Sequence, residues 1–187
     1  MQSVRIVGLA GAKDGGKSTR TALDLVLAAA RAAGAETEVF DLATLDIPMY
    51  EHGMPPTPDV LRWVEAARSA HGMVWITPLY HGSVSGLFKN AIDWLELLRT
   101  APSAYLTDKV VALGCCAGGV QAMQGINAME PMVRSLRGLT LPLVAPVERA
   151  WQAFDAQGQP VEPAVRNTLE LQGKELVRVL QRLHGAV

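Results

Sequence analysis

A chain of 187 residues with 49% hydrophobic side chains is long enough for one domain to bury its own core, so it needs no disulfide staples. Its 17 Lys/Arg and 18 Asp/Glu leave a net charge of −1, and the cations are scattered, which excludes the basic stripe of a nucleic-acid binder. The only cysteines, Cys115 and Cys116, are neighbours that cannot form an ordinary disulfide, and Asp24 and Arg31 interrupt the Ala-rich run 22–33; the expectation is a cytoplasmic protein without leader or membrane span.

In chain order, Val4 to Ala10 reads as an apolar strand, followed by a Gly-rich loop. From Ser18 a helical stripe (Ala22, Leu23, Val26, Leu27, Ala30) follows, which Gly34 closes. Glu36 to Asp41 is a second strand. Pro48, Pro55, Pro56 and Pro58 then mark a long loop before a helix over 59–70. Gly72 to Thr77 is a third strand, and Pro78, which lacks a backbone donor, is expected to end its pairing. The segment 78–86 reads as a loop rich in free N–H groups, and Leu87, Ala91, Trp94, Leu95 and Leu98 recur at helical spacing. Lys109 to Gly114 is a fourth strand, and Gly118-Gly119 opens a helix reaching about Arg137. Leu139 to Val147 is a fifth strand, and a last helix covers about 163–183. Alternating strands and helices predict a parallel sheet covered on both faces: one three-layer α/β domain over 1–187. Its ligand loops, 11–17, 78–86 and 115–119, all follow strands and so share one sheet edge.

Gly11-Ala12-Lys13-Asp14-Gly15-Gly16-Lys17-Ser18 satisfies the Gly-x-x-x-x-Gly-Lys-Ser/Thr pattern of a nucleotide-triphosphate loop. Such a site also needs a second carboxylate for Mg²⁺ at a strand end, and Asp41 is the one candidate. A weaker reading needs only the free N–H groups of a helix N-terminus, with Ser18, Thr19 and Arg20, to bind one phosphate.

The segment Thr77-Pro78-Leu79-Tyr80-His81-Gly82-Ser83-Val84-Ser85-Gly86-Leu87-Phe88-Lys89-Asn90-Ala91-Ile92-Asp93-Trp94, taken with the first loop and Gly118-Gly119, resembles the NADPH-dependent FMN reductase family of the flavodoxin-like superfamily. The likeness extends over nearly the whole chain and includes a turn at Phe154-Asp155-Ala156-Gln157-Gly158. It departs from the family where Ala12, Lys13 and Asp14 replace Ser and Arg, and where Leu79 and His81 replace Glu and Asn. The resemblance implies five parallel strands in order 2-1-3-4-5. It implies FMN with its phosphate at Lys17, Ser18, Thr19 and Arg20, and its ring against Pro78, Leu79, Tyr80, His81, Gly82 and Ser83. Gly118 and Gly119 would offer N–H groups to the pyrimidine edge. NADPH or NADH would donate hydride to the flavin, with no side-chain acid, base or metal required. The acceptor would be free flavin, a quinone, an azo compound or a metal oxyanion.

Lys89 and Asp93, four apart on a helix, read as a surface ion pair, and Cys115-Cys116 as small apolar packing, though vicinal thiols can bind soft metals. His52, His71 and His184 are too far apart in sequence to suggest a metal cluster. Trp94, Leu95, Leu97 and Leu98 exceed what one core face needs and suggest a subunit interface in a homodimer or homotetramer, as the resemblance also implies. An electron-carrying flavodoxin and a P-loop NTPase remain as alternatives. The near-zero charge argues against the first, and the missing second acidic strand against the other.

Overall fold

The computed structural model describes residues 3–12 and 17–184. Its elements in chain order are β1 (Arg5–Ala10), α1 (Lys17–Ala32), β2 (Glu36–Asp41), α2 (Pro58–Ser69), β3 (Gly72–Tyr80), β4 (Ser83–Val84) and α3 (Gly86–Asp93). A 3₁₀ turn (Trp94–Leu98) then leads to β5 (Val110–Cys116), α4 (Ala122–Ser135), β6 (Leu139–Thr140), β7 (Ala145–Val147) and α5 (Pro163–His184). The sheet order is β2-β1-β3-β5-β6, with β7 also on β5, and these pairings are parallel. Counting β6 and β7 as one interrupted strand, this is the flavodoxin-like order expected.

Alternation along the strands splits the apolar residues between two faces. Val7 and Leu9 of β1, Trp75 of β3 and Leu113 of β5 pack with α2, α3 and α4. Ile6 and Ala10, Val74 and Ile76, and Ala112 pack with α1 and α5 on the other face. Two glycines permit the second layer. A side-chain carbon on Gly8 would lie 2.7 Å from Leu27 and 2.8 Å from Leu23, and one on Gly173 of α5 would strike the Val26 carbonyl of α1.

Two expectations need correction. Pairing does not stop at Pro78. Ile76 turns its carbonyl toward β1, where it accepts the Gly11 N–H at 2.8 Å, and Pro78 shares that side. There β1 has already ended, so the proline's absent donor leaves no partner unsatisfied, while Pro78 stays in register with Cys116. The strand then turns back on itself as a hairpin with β4. The predicted fifth strand, in turn, is two short pieces. β6 pairs with Val110–Val111 and β7 with Gly114–Cys116, with the donor-less Pro142 in the gap. The buried Gln172 side chain of α5 bridges that gap, its Nε2 donating to the carbonyls of Leu113 (2.9 Å) and Leu143 (3.0 Å).

Candidate active site

Three neighbouring strands, β1, β3 and β5, run in one direction and deliver their following segments to a single sheet edge. Side-chain packing ties these segments together. Ser85 accepts the Phe88 N–H as N-cap of α3 and donates its hydroxyl hydrogen to the Gly11 carbonyl. Gly11 must be glycine here, since a side chain would sit 2.8 Å from the Phe88 ring. The first glycine of the phosphate-loop pattern thus has a packing reason of its own. Lys13 to Gly16 lie outside the described residues.

At the start of α1 a cavity of about 530 Å³ is lined by Lys17, Ser18, Arg20 and Thr21, by Asp41 at the end of β2, and by Trp151 and Phe154 from the segment after β7. Amides of a helix's first turn have no intrahelical acceptor, so the cavity faces a natural anion site. The Ser18 hydroxyl donates to the Ala150 carbonyl at 2.8 Å. Arg20 reaches Asp24 (2.9 Å) and Asp41 (3.0 Å). Burial by itself would lower its pKa, but the hydrogen bonds it donates to these two carboxylates, together with their charge, outweigh that and hold the guanidinium charged. Thr19 is buried, and its hydroxyl faces the Cys116 thiol, so any role toward a ligand falls to its backbone N–H.

The hairpin β3–β4 is closed by His81 and Gly82, at φ 50° and 84°, with Tyr80 opposite Ser83 and Leu79 opposite Val84. Positive φ at both central residues marks the tight turn whose twist matches its strands. Pro78 is buried, Leu79 packs toward Gly125 of α4, and Tyr80, His81, Gly82 and Ser83 are exposed. Gly82 lies beside Gln124, so the hairpin tip rests on the start of α4. Between β5 and α4, Gly118 and Gly119 are exposed, with open space where side chains would stand. This turn is anchored from behind: the Ala117 N–H donates to the Val147 carbonyl, and the Arg149 and Ala150 N–H groups donate to the carbonyls of Gly119 and Ala117. The hairpin and the Gly118–Gly119 turn therefore leave neighbouring strands side by side, whereas the cavity gathers Lys17, Ser18 and Arg20.

The sequence profile of the NADPH-dependent FMN reductase family matches residues 4–152, which takes in the start of α1, the β3–β4 hairpin, the Gly118–Gly119 turn and Trp151. The chain belongs to this family. It is 34% identical over 126 residues to an NADPH-dependent FMN reductase ArsH of Rhizobium meliloti, covering 67% of this chain and 51% of that protein. It thus spans about half the length of that relative. An NAD(P)H-dependent FMN reductase of Pseudomonas aeruginosa is 28% identical over 97% of this chain and 98% of its own length. Among solved structures, the flavoenzyme NAD(P)H:(acceptor) oxidoreductase FerB of Paracoccus denitrificans superposes with a TM-score of 0.74 at 17% identity, covering 97% and 98% of the two chains. That similarity speaks for the fold.

Several features of this family member were hidden in its sequence. Cys115 and Cys116 point to opposite faces of β5, one into each core, so the pair does not converge on a soft metal. Burial pushes the Cys115 thiol up to about 12 and raises Cys116 as well, with its neighbour adding to the effect. His71 and His184, 113 positions apart by number, meet with ring centroids 5.0 Å apart. Among the described residues no cluster of three or more His, Cys, Asp or Glu side chains is arranged to hold a metal ion. Trp94, Leu95 and Leu98 are buried in the chain's own core, correcting the view of that stretch as an unpartnered face; Leu97 alone of the four is exposed. Lys89 and Asp93 form the expected exposed ion pair at 2.6 Å. Trp151, on the cavity wall, was not singled out from sequence; its place just after the C-terminal end of a strand was the one available signal.

Proposed function

We propose that this chain is an NAD(P)H-dependent reductase of FMN, working as one flavodoxin-like domain across residues 1–187. Lys17, Ser18, Thr19 and Arg20 take the flavin's phosphate end, Pro78, Leu79, Tyr80, His81, Gly82 and Ser83 form a wall for its ring, and Gly118 and Gly119 meet the pyrimidine edge. The observation that carries this reading is the meeting of the segments after β1, β3 and β5 at one sheet edge, inside the stretch that matches the family. Two features fit FMN: α1 starts at a cavity with basic side chains, and the Gly118–Gly119 turn keeps open the space that side chains would fill.

When bound, FMN supplies the capacity to accept hydride from a nicotinamide and pass electrons to an acceptor. The chain's own work is placement. First-turn amides of α1, with Lys17, hold the phosphate dianion. The hairpin, locked by its own ladder and resting on α4, would be a rigid wall for the ring. Backbone N–H groups at Gly118 and Gly119 stabilise negative charge at the ring's electron-rich edge without a titrating side chain. The acceptor belongs to the group of free flavin, quinone, azo compound or metal oxyanion. A relative of Staphylococcus aureus, 33% identical over 57% of this chain, is an FMN-dependent NADPH-azoreductase, which supports including azo compounds. We place the protein in the cytoplasm as a homodimer or homotetramer, a reading supported by its buried free thiols and by exposed apolar side chains such as Val120 and Met123 near the site. No helix among the described residues is long and apolar enough to cross a membrane.

The test is an absorbance titration with FMN, followed anaerobically on adding NADPH and then NADH. Bleaching of the oxidised flavin band is expected, and the faster coenzyme is the preferred one. Bound flavin that neither coenzyme bleaches would make the protein a carrier; absence of flavin binding would overturn the assignment. An NTPase reading is disfavoured by Asp41, the one candidate Mg²⁺ carboxylate, whose negative charge is already paired with Arg20 at 3.0 Å.

A further inference from the structure

We propose that the phosphate end of the flavin site opens into a nucleotide subsite, so that the chain also takes the dinucleotide FAD with its adenine against Trp151. This rests on the flavin reading above. The cavity at the start of α1 holds about 530 Å³. That lies within the roughly 300–1,000 Å³ of pockets that enclose whole small ligands, and it is far more than a terminal phosphate fills. Ser18 stands at the anion end, and the remaining wall runs from the Arg20–Asp41 ion pair to Trp151 and Phe154. FMN ends at its phosphate and leaves that part of the cavity to water.

The wall has the chemistry of a nucleoside seat. Trp151 is 74% exposed, an uncommon cost for an indole unless it meets a ring or a partner. It stands on fixed backbone: the Ala150 carbonyl accepts the Ser18 hydroxyl, the Ala150 N–H donates to Ala117, and the Gln152 N–H donates to Arg149. Phe154 is held by its bridge to Pro160. Asp41 accepts one hydrogen bond on each oxygen, from Ala43 and Arg20, so each oxygen keeps capacity for a ribose hydroxyl. Lys17, on the cavity wall at the start of α1, puts positive charge where a second phosphate, continuing from the first, would enter, while Arg20 is paired with Asp24 and Asp41.

The experiment is a set of flavin-fluorescence and tryptophan-quenching titrations of the full chain with riboflavin, FMN and FAD, repeated on Trp151→Ala and Trp151→Phe. FAD is expected to bind at least as tightly as FMN. Trp151→Ala is expected to weaken FAD roughly 5- to 150-fold, the worth of one base stacked on an aromatic ring, while leaving FMN unchanged; Trp151→Phe restores most of the loss. FMN binding with FAD no tighter than riboflavin would overturn the subsite and leave the FMN reading intact. Equal effects of Trp151→Ala on FMN and FAD would also overturn it. So would a change in sedimentation with no change in either flavin affinity, which would assign the indole to contact with a second copy. Failure of all three flavins to bind would overturn both readings.

Discussion

Cys115 and Cys116 illustrate how little sequence adjacency says about shared chemistry at the scale of single residues. A strand sends them to opposite cores, and burial keeps the thiols protonated at physiological pH, Cys115 with a pKa of about 12. Neither thiol should react with an aromatic disulfide reagent at pH 8 in the native protein, and both should react once denaturant is added; prompt reaction of either in buffer would contradict this burial. His71 offers a second test. Its Nδ1 accepts the Arg5 N–H at 2.9 Å, which requires an unprotonated nitrogen there. Burial, then His184, Lys109 and Arg5, lower its pKa from the ordinary 6.5. The unfolded chain therefore takes up the proton first as pH falls. The stabilisation is complete above about pH 6.5 and is lost as pH drops toward the lowered native value. Thermal melts between pH 8 and pH 5 should show a steeper acid-side loss for the wild type than for His71→Gln; parallel curves would remove His71 from the account.

At the scale of elements, the turn His81–Gly82 and the strut at Asn90 show what the 77–94 segment does locally. With φ at 50°, His81 occupies a left-handed conformation that asparagine tolerates and a β-branched residue resists. His81→Asn should leave stability unchanged or raised, whereas His81→Val should cost about 1–3 kcal/mol in urea unfolding. Asn90 accepts the Tyr50 N–H at 2.7 Å and donates to the carbonyls of Ile47 (3.2 Å) and Pro48 (2.9 Å). Trp94, one helical turn on, donates to the same Pro48 carbonyl at 2.8 Å. The polar end of the family-like motif thus fastens the long connection between β2 and α2. Asn90→Ala, leaving the Tyr50 N–H and the Ile47 carbonyl without these partners, should lower unfolding free energy by about 1–3 kcal/mol, read as a lower urea midpoint. Between layers, Gly173→Ala would force α5 away from the α1 backbone at Val26 and should cost about 1–3 kcal/mol.

Across the whole molecule, two helical layers and a five-position parallel sheet serve to bring three segments to one edge, and a ligand there should be felt by the entire fold. A ligand that binds only the native state at a hundredfold excess over its Kd adds about 2.7 kcal/mol. For a domain of this length that corresponds to a rise in Tm of roughly 5–10 °C. FMN should produce such a rise, and riboflavin, which lacks the group that α1 holds, a smaller one in differential scanning fluorimetry at equal concentration. Equal shifts would detach the α1 N-terminus from binding.

The alternation of apolar strands with amphipathic helices, the Gly- and Pro-marked breaks between them, and the motif from Thr77 to Trp94 were determined by the sequence itself, because periodicity and turn chemistry act over a few residues. Strand β2 and helix α5 accordingly stand where those patterns put them. Pro78 lies inside a strand because a neighbouring strand ends first, and Gln172 completes a broken edge from a helix more than 25 positions away in sequence. The cavity joins residues 17–21, 41 and 151–158. These outcomes depend on which backbones stop beside which, and on side chains that meet across the sheet. Such contacts exist only once the layers have closed, and so they were decided by the tertiary structure.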